Sequence, residues 1–153
     1  MKKKSSVRFH FLNNYPLKNR VLLKHFIERI FKKEKIRLSE INIIVCDDQY
    51  LLGLNKQFLK HDYYTDILSF PFSASGEPLI AEIYISLDRV RDNALHARVM
   101  LKEELHRVIF HGVLHFCGYR DKSKKDILLM RAMEDKYLNA YFRQSFVSRG
   151  TLS

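Results

Sequence analysis

The chain has no tryptophan, two cysteines, three prolines and five glycines in 153 residues. Neither Cys46 nor Cys117 belongs to a C-x-x-C pair, so a disulfide framework is not indicated and both read as buried structural thiols of a reducing compartment. No stretch approaches the ~20 consecutive apolar residues that a membrane span requires. The basic start, Met1 to Ser6, is not followed by a signal-type apolar segment, because Val7 to Leu12 is interrupted by Arg8 and His10. The sequence shows no internal repeat and no linker. These absences predict a single cytoplasmic domain without membrane contact.

Acidic side chains are also scarce. Seventeen Asp and Glu against twenty-seven Lys and Arg leave a formal charge of +10 on 18.3 kDa. An excess of this size suits a polyanionic partner such as nucleic acid. A chain of this length can bury about 68–70% of its unfolded surface. The expected organisation is a basic, disordered tail over 1–6, one domain over 7–142, and a tail over 143–153.

Hydrophobic periodicity orders the elements. Val7, Phe9 and Phe11 alternate with polar residues, the mark of a half-buried strand. From Leu17 to about Lys33 apolar residues recur at three and four (Val21, Leu22, Phe26, Ile27, Ile30, Phe31), which predicts an amphipathic helix with a basic outer stripe. Ile41 to Cys46 reads as a central strand, and Asp47 or Asp48 as the cap of a second helix ending near His61-Asp62. Short strands follow over Tyr64–Pro71 and Leu79–Ser86, then a helix entry over Asp88 to Ala97 and the long helix from Val99 to Phe116. A last helix is predicted over Lys124 to Phe142, with Ile127, Leu128, Met130, Met133, Tyr137 and Leu138 on its apolar face. The fold class expected is α+β: one mixed sheet of about four strands packed by helices, with a metal-binding helix at the centre.

That helix carries the chemistry. His111 and His115 are four residues apart, hence on one helical face one turn apart, where two imidazoles can share an ion. Gly118 is placed to stop the helix in a left-handed turn, and the returning chain offers Asp121 as a third ligand. Two imidazoles and a carboxylate leave a fourth position open, the pattern of a catalytic zinc or another divalent transition metal. His-x3-His-x2-Gly-x2-X is metzincin spacing, but the position of the zincin general base is held by Gly112. Arg107 is one turn before His111 and is expected to clamp a phosphate beside the metal, with Glu103 as its alternative partner. Arg120 and Lys122 flank Asp121 and raise the positive potential there.

His111, Gly112, Leu114, His115, Gly118 and Tyr119 match the signature H-G-x-L-H-x-x-G-Y-D-H, so the chain resembles the YbeY-type rRNA-maturation endoribonucleases. Arg120 stands for the signature's Asp and Asp121 for its last His. A second block matches at Leu54, Asn55, Asp62, Thr65, Asp66, Leu68, Ser69, Phe70 and Pro71, with Leu59 in place of an Arg associated with activity and Tyr64 in place of a Pro. Ala81 and Glu82 replace a Gly and an Asp in a third. The resemblance implies a metal-dependent, single-strand-preferring endoribonuclease of rRNA maturation and ribosome quality control, acting on rRNA and ribosomal particles, with Thr65 and Asp66 at the substrate. Two other readings stand beside it. One is a zinc peptidase, favoured by spacing and opposed by Gly112; the other is a metal-stabilised RNA- or ribosome-binding factor without turnover.

Overall fold

A computed structural model describes residues 5–60 and 65–152, with side chains up to Gln144. The chain runs β1 (Ser6–Phe11), α1 (Arg20–Lys33), β2 (Leu38–Cys46), α2 (Asp48–Leu59), β3 (Ile67–Pro71), β4 (Leu79–Ser86), α3 (Leu87–Ala97), α4 (Leu101–Phe116) and α5 (Lys124–Leu152). The four strands form one mixed sheet in the order β1-β2-β4-β3. β1 and β4 flank β2 in parallel, and β3 pairs antiparallel with β4. Parallel neighbours need a crossover, and α1 supplies the one between β1 and β2. The architecture is the α+β domain expected from the sequence.

Strand alternation divides the core between the two faces of the sheet. Val7, Phe9, Ile41, Ile43, Ala81, Ile83 and Ile85 meet α1, α4 and α5 on one face. Cys46, Leu51 and Leu68, backed by Leu54, Phe70 and Tyr84, form a smaller cluster under α2 on the other. Helix α4 is buried on most sides, from Leu105 to Leu114. Gly112 lies flat on the sheet: a Cβ there would come within 2.8 Å of Ile67 Cδ1 and 2.9 Å of Ile83 Cδ1. Glycine is therefore what lets the central helix seat at this depth.

Several boundaries differ from expectation. Ser6, assigned to the tail, opens β1, while residues 1–4, His61, Asp62 and Tyr64 lie outside the described residues. Helix α1 begins at Arg20, after Asn19 in a left-handed conformation (φ 61°). Its buried stripe is Leu23, Phe26, Ile27, Ile30 and Phe31, an unbroken three-four repeat; Val21 falls off that stripe and is 67% exposed. Asp47 caps α2 by accepting from the Tyr50 amide, while Asp48 turns to Arg89 and Ser86. Helix α5 runs on past Phe142, the end expected for it, to Leu152. Its inner face is Met130, Glu134, Tyr137, Leu138 and Tyr141, whereas Ile127 and Leu128 point outward. No helix among the described residues is long and apolar enough to cross a membrane.

His106 is 1% exposed and stacks on Tyr141 with ring centroids 5.2 Å apart. Its Nδ1–H donates to the Lys102 carbonyl at 2.7 Å, and its Nε2 has no partner among the described residues. Burial depresses its pKa from 6.5 to about 4. The unfolded chain therefore binds this proton more readily than the folded one. Its contribution to stability is full above pH ~6.5 and is lost as pH falls toward 4, about 3 kcal/mol in all. His106→Phe is expected to flatten that part of the stability–pH curve in chemical denaturation; an unchanged acid limb would mean other groups set it.

Candidate metal centre

The end of α4 is a Schellman turn. Gly118, at φ 99°, donates to the His115 carbonyl, and Tyr119 donates to the Leu114 carbonyl. The reversal brings Asp121 back across the last turn of the helix. Asp121 Oδ2 lies 3.4 Å from His111 Nε2 and 3.4 Å from His115 Nε2, and the two Nε2 atoms are 3.0 Å apart. Tetrahedral zinc with ligands at about 2.0–2.2 Å sets neighbouring donors roughly 3.3–3.6 Å apart; both edges from Asp121 fall in that range, and the edge between the imidazoles is shorter. His111, His115 and Asp121 form the group that can hold a metal ion.

A fourth residue, not singled out from the sequence, fixes the first imidazole. Glu134 reaches from α5 and accepts from His111 Nδ1 at 2.6 Å. A carboxylate only accepts, so Nδ1 carries the proton and Nε2 presents its lone pair to His115 and Asp121. Burial disfavours the charged ring, but the Glu134 hydrogen bond and charge, aided by Asp121 and Asp66, prevail and raise its pKa above the usual histidine range. The His111 lone pair, His115 Nε2 and the Asp121 carboxylate converge on one point, an arrangement that suits a shared cation. The donor set therefore fits a metal on geometry and on chemistry.

Arg107 does not stand open beside this centre. Its guanidinium donates to Glu134 Oε1 at 3.0 Å and to Asp135 Oδ1 at 2.7 Å, with Glu104 Oε1 4.0 Å from Nε. The expected phosphate clamp is instead the clasp that holds Glu134 against His111, and the partner expected from the helix, Glu103, is replaced by acids two of which lie on α5. A side chain this long reaches across a helix interface that the local sequence does not reveal.

Two of the three donors, His111 and Asp121, border a cleft of about 890 Å³, whose lining also includes Asp66, Asn93, Glu104, Arg107, Ile127, Leu128, Arg131 and Glu134. Its interior is acidic, and burial above all holds Glu104 above the usual carboxylate range. Asp66 faces the cleft and accepts from Asn93 Nδ2 at 3.1 Å. Of the other proposed substrate contacts, Thr65 Oγ1 is turned to the Ile67 carbonyl, 3.4 Å away. Arg120 lines a separate hollow with Glu34, Cys117 and Tyr119. Lys122 is exposed beside Asp121 and is not part of the cleft wall. Leu59 closes α2, 42% exposed, away from the cleft. Burial pushes the Cys117 thiol up to about 12, the behaviour of a packing residue.

The model of the family described as Endoribonuclease YbeY matches residues 12–142. The Endoribonuclease YbeY of Cytophaga hutchinsonii is 44% identical over 139 residues, covering 91% of this chain and 97% of that protein. That of Flavobacterium psychrophilum is 42% identical over 135 residues, covering 88% and 96%. A Thermotoga maritima protein solved in solution superposes with a TM-score of 0.61 at 26% identity, covering 94% of this chain and 93% of that one. On the strength of the family match and of relatives this similar along nearly their whole length, the chain belongs to the YbeY endoribonuclease family.

Proposed function

We propose that this chain is a metal-dependent endoribonuclease of rRNA maturation, working in the cytoplasm on ribosomal RNA and ribosomal particles. The observation that carries the reading is the donor triangle of His111, His115 and Asp121 at the edge of a cleft, with His111 held in one tautomer by Glu134. Zinc is the ion that two imidazoles and one carboxylate suit best. When bound there, it supplies Lewis acidity toward water and phosphate oxygen near neutral pH. The residues around it orient the substrate. Asp66 and Asn93 offer an acceptor and a donor to ribose hydroxyls. Ile127 and Leu128 offer an apolar lip to a base, and Arg131, Arg120 and Lys122 draw the polyanion toward an interior that is otherwise acidic.

The peptidase reading lacks its base at the position where the zincin pattern puts it. Gly112 faces the sheet, and the nearest buried carboxylate, Glu134, is engaged by His111 and Arg107. An acid free to shuttle the proton of an attacking water is what that chemistry needs.

The purified protein is expected to carry about one zinc-class ion per chain, to cleave rRNA segments in a chelator-sensitive manner, and to leave casein-like peptides intact. Asp121→Asn is expected to weaken metal binding while Asp121→His largely keeps it, because imidazole restores a donor and the amide does not. His111→Ala serves as control against contaminating nucleases. Metal retained in full by both His111→Ala and Asp121→Asn would remove these residues as ligands. Peptide cleavage lost in His111→Ala would reverse the reading, and RNA binding without cleavage would favour a factor without turnover.

A further inference from the structure

The basic stripe of α1 does not end as a uniformly solvated face. In its last turns His25, Arg29 and Lys32 line a groove of about 600 Å³ together with Lys35 and Arg37 and the apolar Phe31, Ile36 and Leu38. The cations are held in place by neutral groups. Arg29 Nη2 donates to Gln144 Oε1 at 2.7 Å, and Arg37 Nη2 donates to the Gly76 carbonyl at 2.6 Å. Lys35 sits at φ 62° in a turn closed by hydrogen bonds from its own amide to Lys32 and from Ile36 to Phe31, which fixes where both lysines emerge. Among the described residues, none of Arg29, Lys32, Lys35 and Arg37 forms an ion pair within 4.0 Å, and Glu28 is the one acid in the lining. Some arginines elsewhere on the molecule are matched with acids, as in Arg89–Asp48 and Arg107–Asp135. Four cations without an ion pair, two of them held by hydrogen bonds, repel one another around one concavity, and that repulsion is relieved by a polyanion with regularly spaced charges.

A hydrogen-bond link runs from the turn that bears these lysines to the segment that carries the metal donors. Glu34, in the same turn as Lys32 and Lys35, accepts from Tyr119 Oη at 3.1 Å and from Tyr137 Oη at 2.9 Å, and Tyr119 is two residues before Asp121. We infer that this groove binds the phosphate backbone of the RNA segment flanking the one in the cleft, so that long or structured RNA is held at two places and a short strand at one. The inference rests on the endoribonuclease reading above and extends it to a second contact surface.

The test is a triple substitution, Lys32→Gln, Lys35→Asn and Arg37→Gln. Asparagine tolerates the left-handed backbone at 35, and glutamine at 37 keeps a donor for the Gly76 carbonyl. Binding of an RNA hairpin with a single-stranded flank is followed by fluorescence anisotropy across salt concentrations, with melting temperature and metal content as controls. Each lost phosphate contact lowers the slope of log affinity against log salt by roughly 0.7–0.9, so the triple variant is expected to lose about 2–3 from the wild-type slope. Cleavage of an oligonucleotide too short to leave the cleft is expected to be unchanged. An unaltered slope in a folded, metal-loaded variant would overturn the groove as an RNA surface while leaving the cleft intact. So would selective loss of binding to an acidic protein with RNA binding preserved. Absence of salt-dependent RNA binding in the wild type would instead bring down the reading of the cleft, and the groove with it.

Discussion

Glu134→Ala is expected to lower metal affinity by about 10- to 100-fold, the usual cost of losing a carboxylate behind a ligating histidine. Stability should fall by about 3 kcal/mol, because a buried guanidinium loses its most buried partner. Glu134 is 4% exposed and serves two donors, one oxygen to Arg107 and the other to His111. Arg107 keeps Asp135, which holds the stability loss to the lower end of the range for a broken buried pair. The two effects separate in a double variant. Arg107→Leu combined with Glu134→Leu removes the buried charges together and is expected to recover much of the stability, but none of the metal affinity. Denaturant melts and a zinc-competition titration on the same preparations read both. If the double variant regained full affinity, the carboxylate would be holding the fold rather than the imidazole.

Gly112→Glu, which would restore the general base of the zincin pattern, is expected to yield no peptidase and no stable fold. The first carbon of the new side chain already meets Ile67 and Ile83, and the carboxylate would follow it into a sheet face where Ile83 is fully buried. An unpaired buried charge together with overpacking costs more than about 4 kcal/mol, against a total stability of about 5–15 kcal/mol for a domain. Gly112→Ala tests the steric part alone. The alanine regains about 1 kcal/mol of helix propensity, and the clashing atoms are the ends of flexible isoleucines, so a modest net loss is expected. Thermal melts decide it, and a well-folded Gly112→Glu variant with peptide-cleaving activity would contradict the packing described here.

The parts of the site that were legible in the sequence are the local ones. His111 and His115 follow from the helical period, and the turn at Gly118 follows from glycine's tolerance of positive φ, so Asp121 could be placed across the helix end before any fold was known. Glu134 was not legible in this way, because it is reached through the packing of α5 on α4. A signal was present all the same. Glu134 lies four after Met130 and three and four before Tyr137 and Leu138, an acid in the middle of an apolar stripe. Misplacing Ile127 and Leu128 on that stripe obscured it. The partners of Arg107 were not legible for the same reason: helical spacing gives its face but not which neighbouring helix supplies them. The mixed sheet and its strand set were readable from alternation, whereas strand order required the long-range pairing of β2 with β4.

All three donor side chains fall between residues 111 and 121, so the ligand set is carried by one short segment. A segment that short keeps its ligands near one another even when the rest of the chain is unravelled. The ion therefore has some affinity for the denatured ensemble as well as for the native one, and only the difference between the two affinities stabilises the fold. That difference comes from what the segment lacks by itself: the Glu134 carboxylate arriving from α5 and the sheet beneath Gly112. Metal added to the apo-protein should thus raise the melting temperature by less than its affinity for the native state alone implies, and the shift should shrink further when Glu134 is replaced.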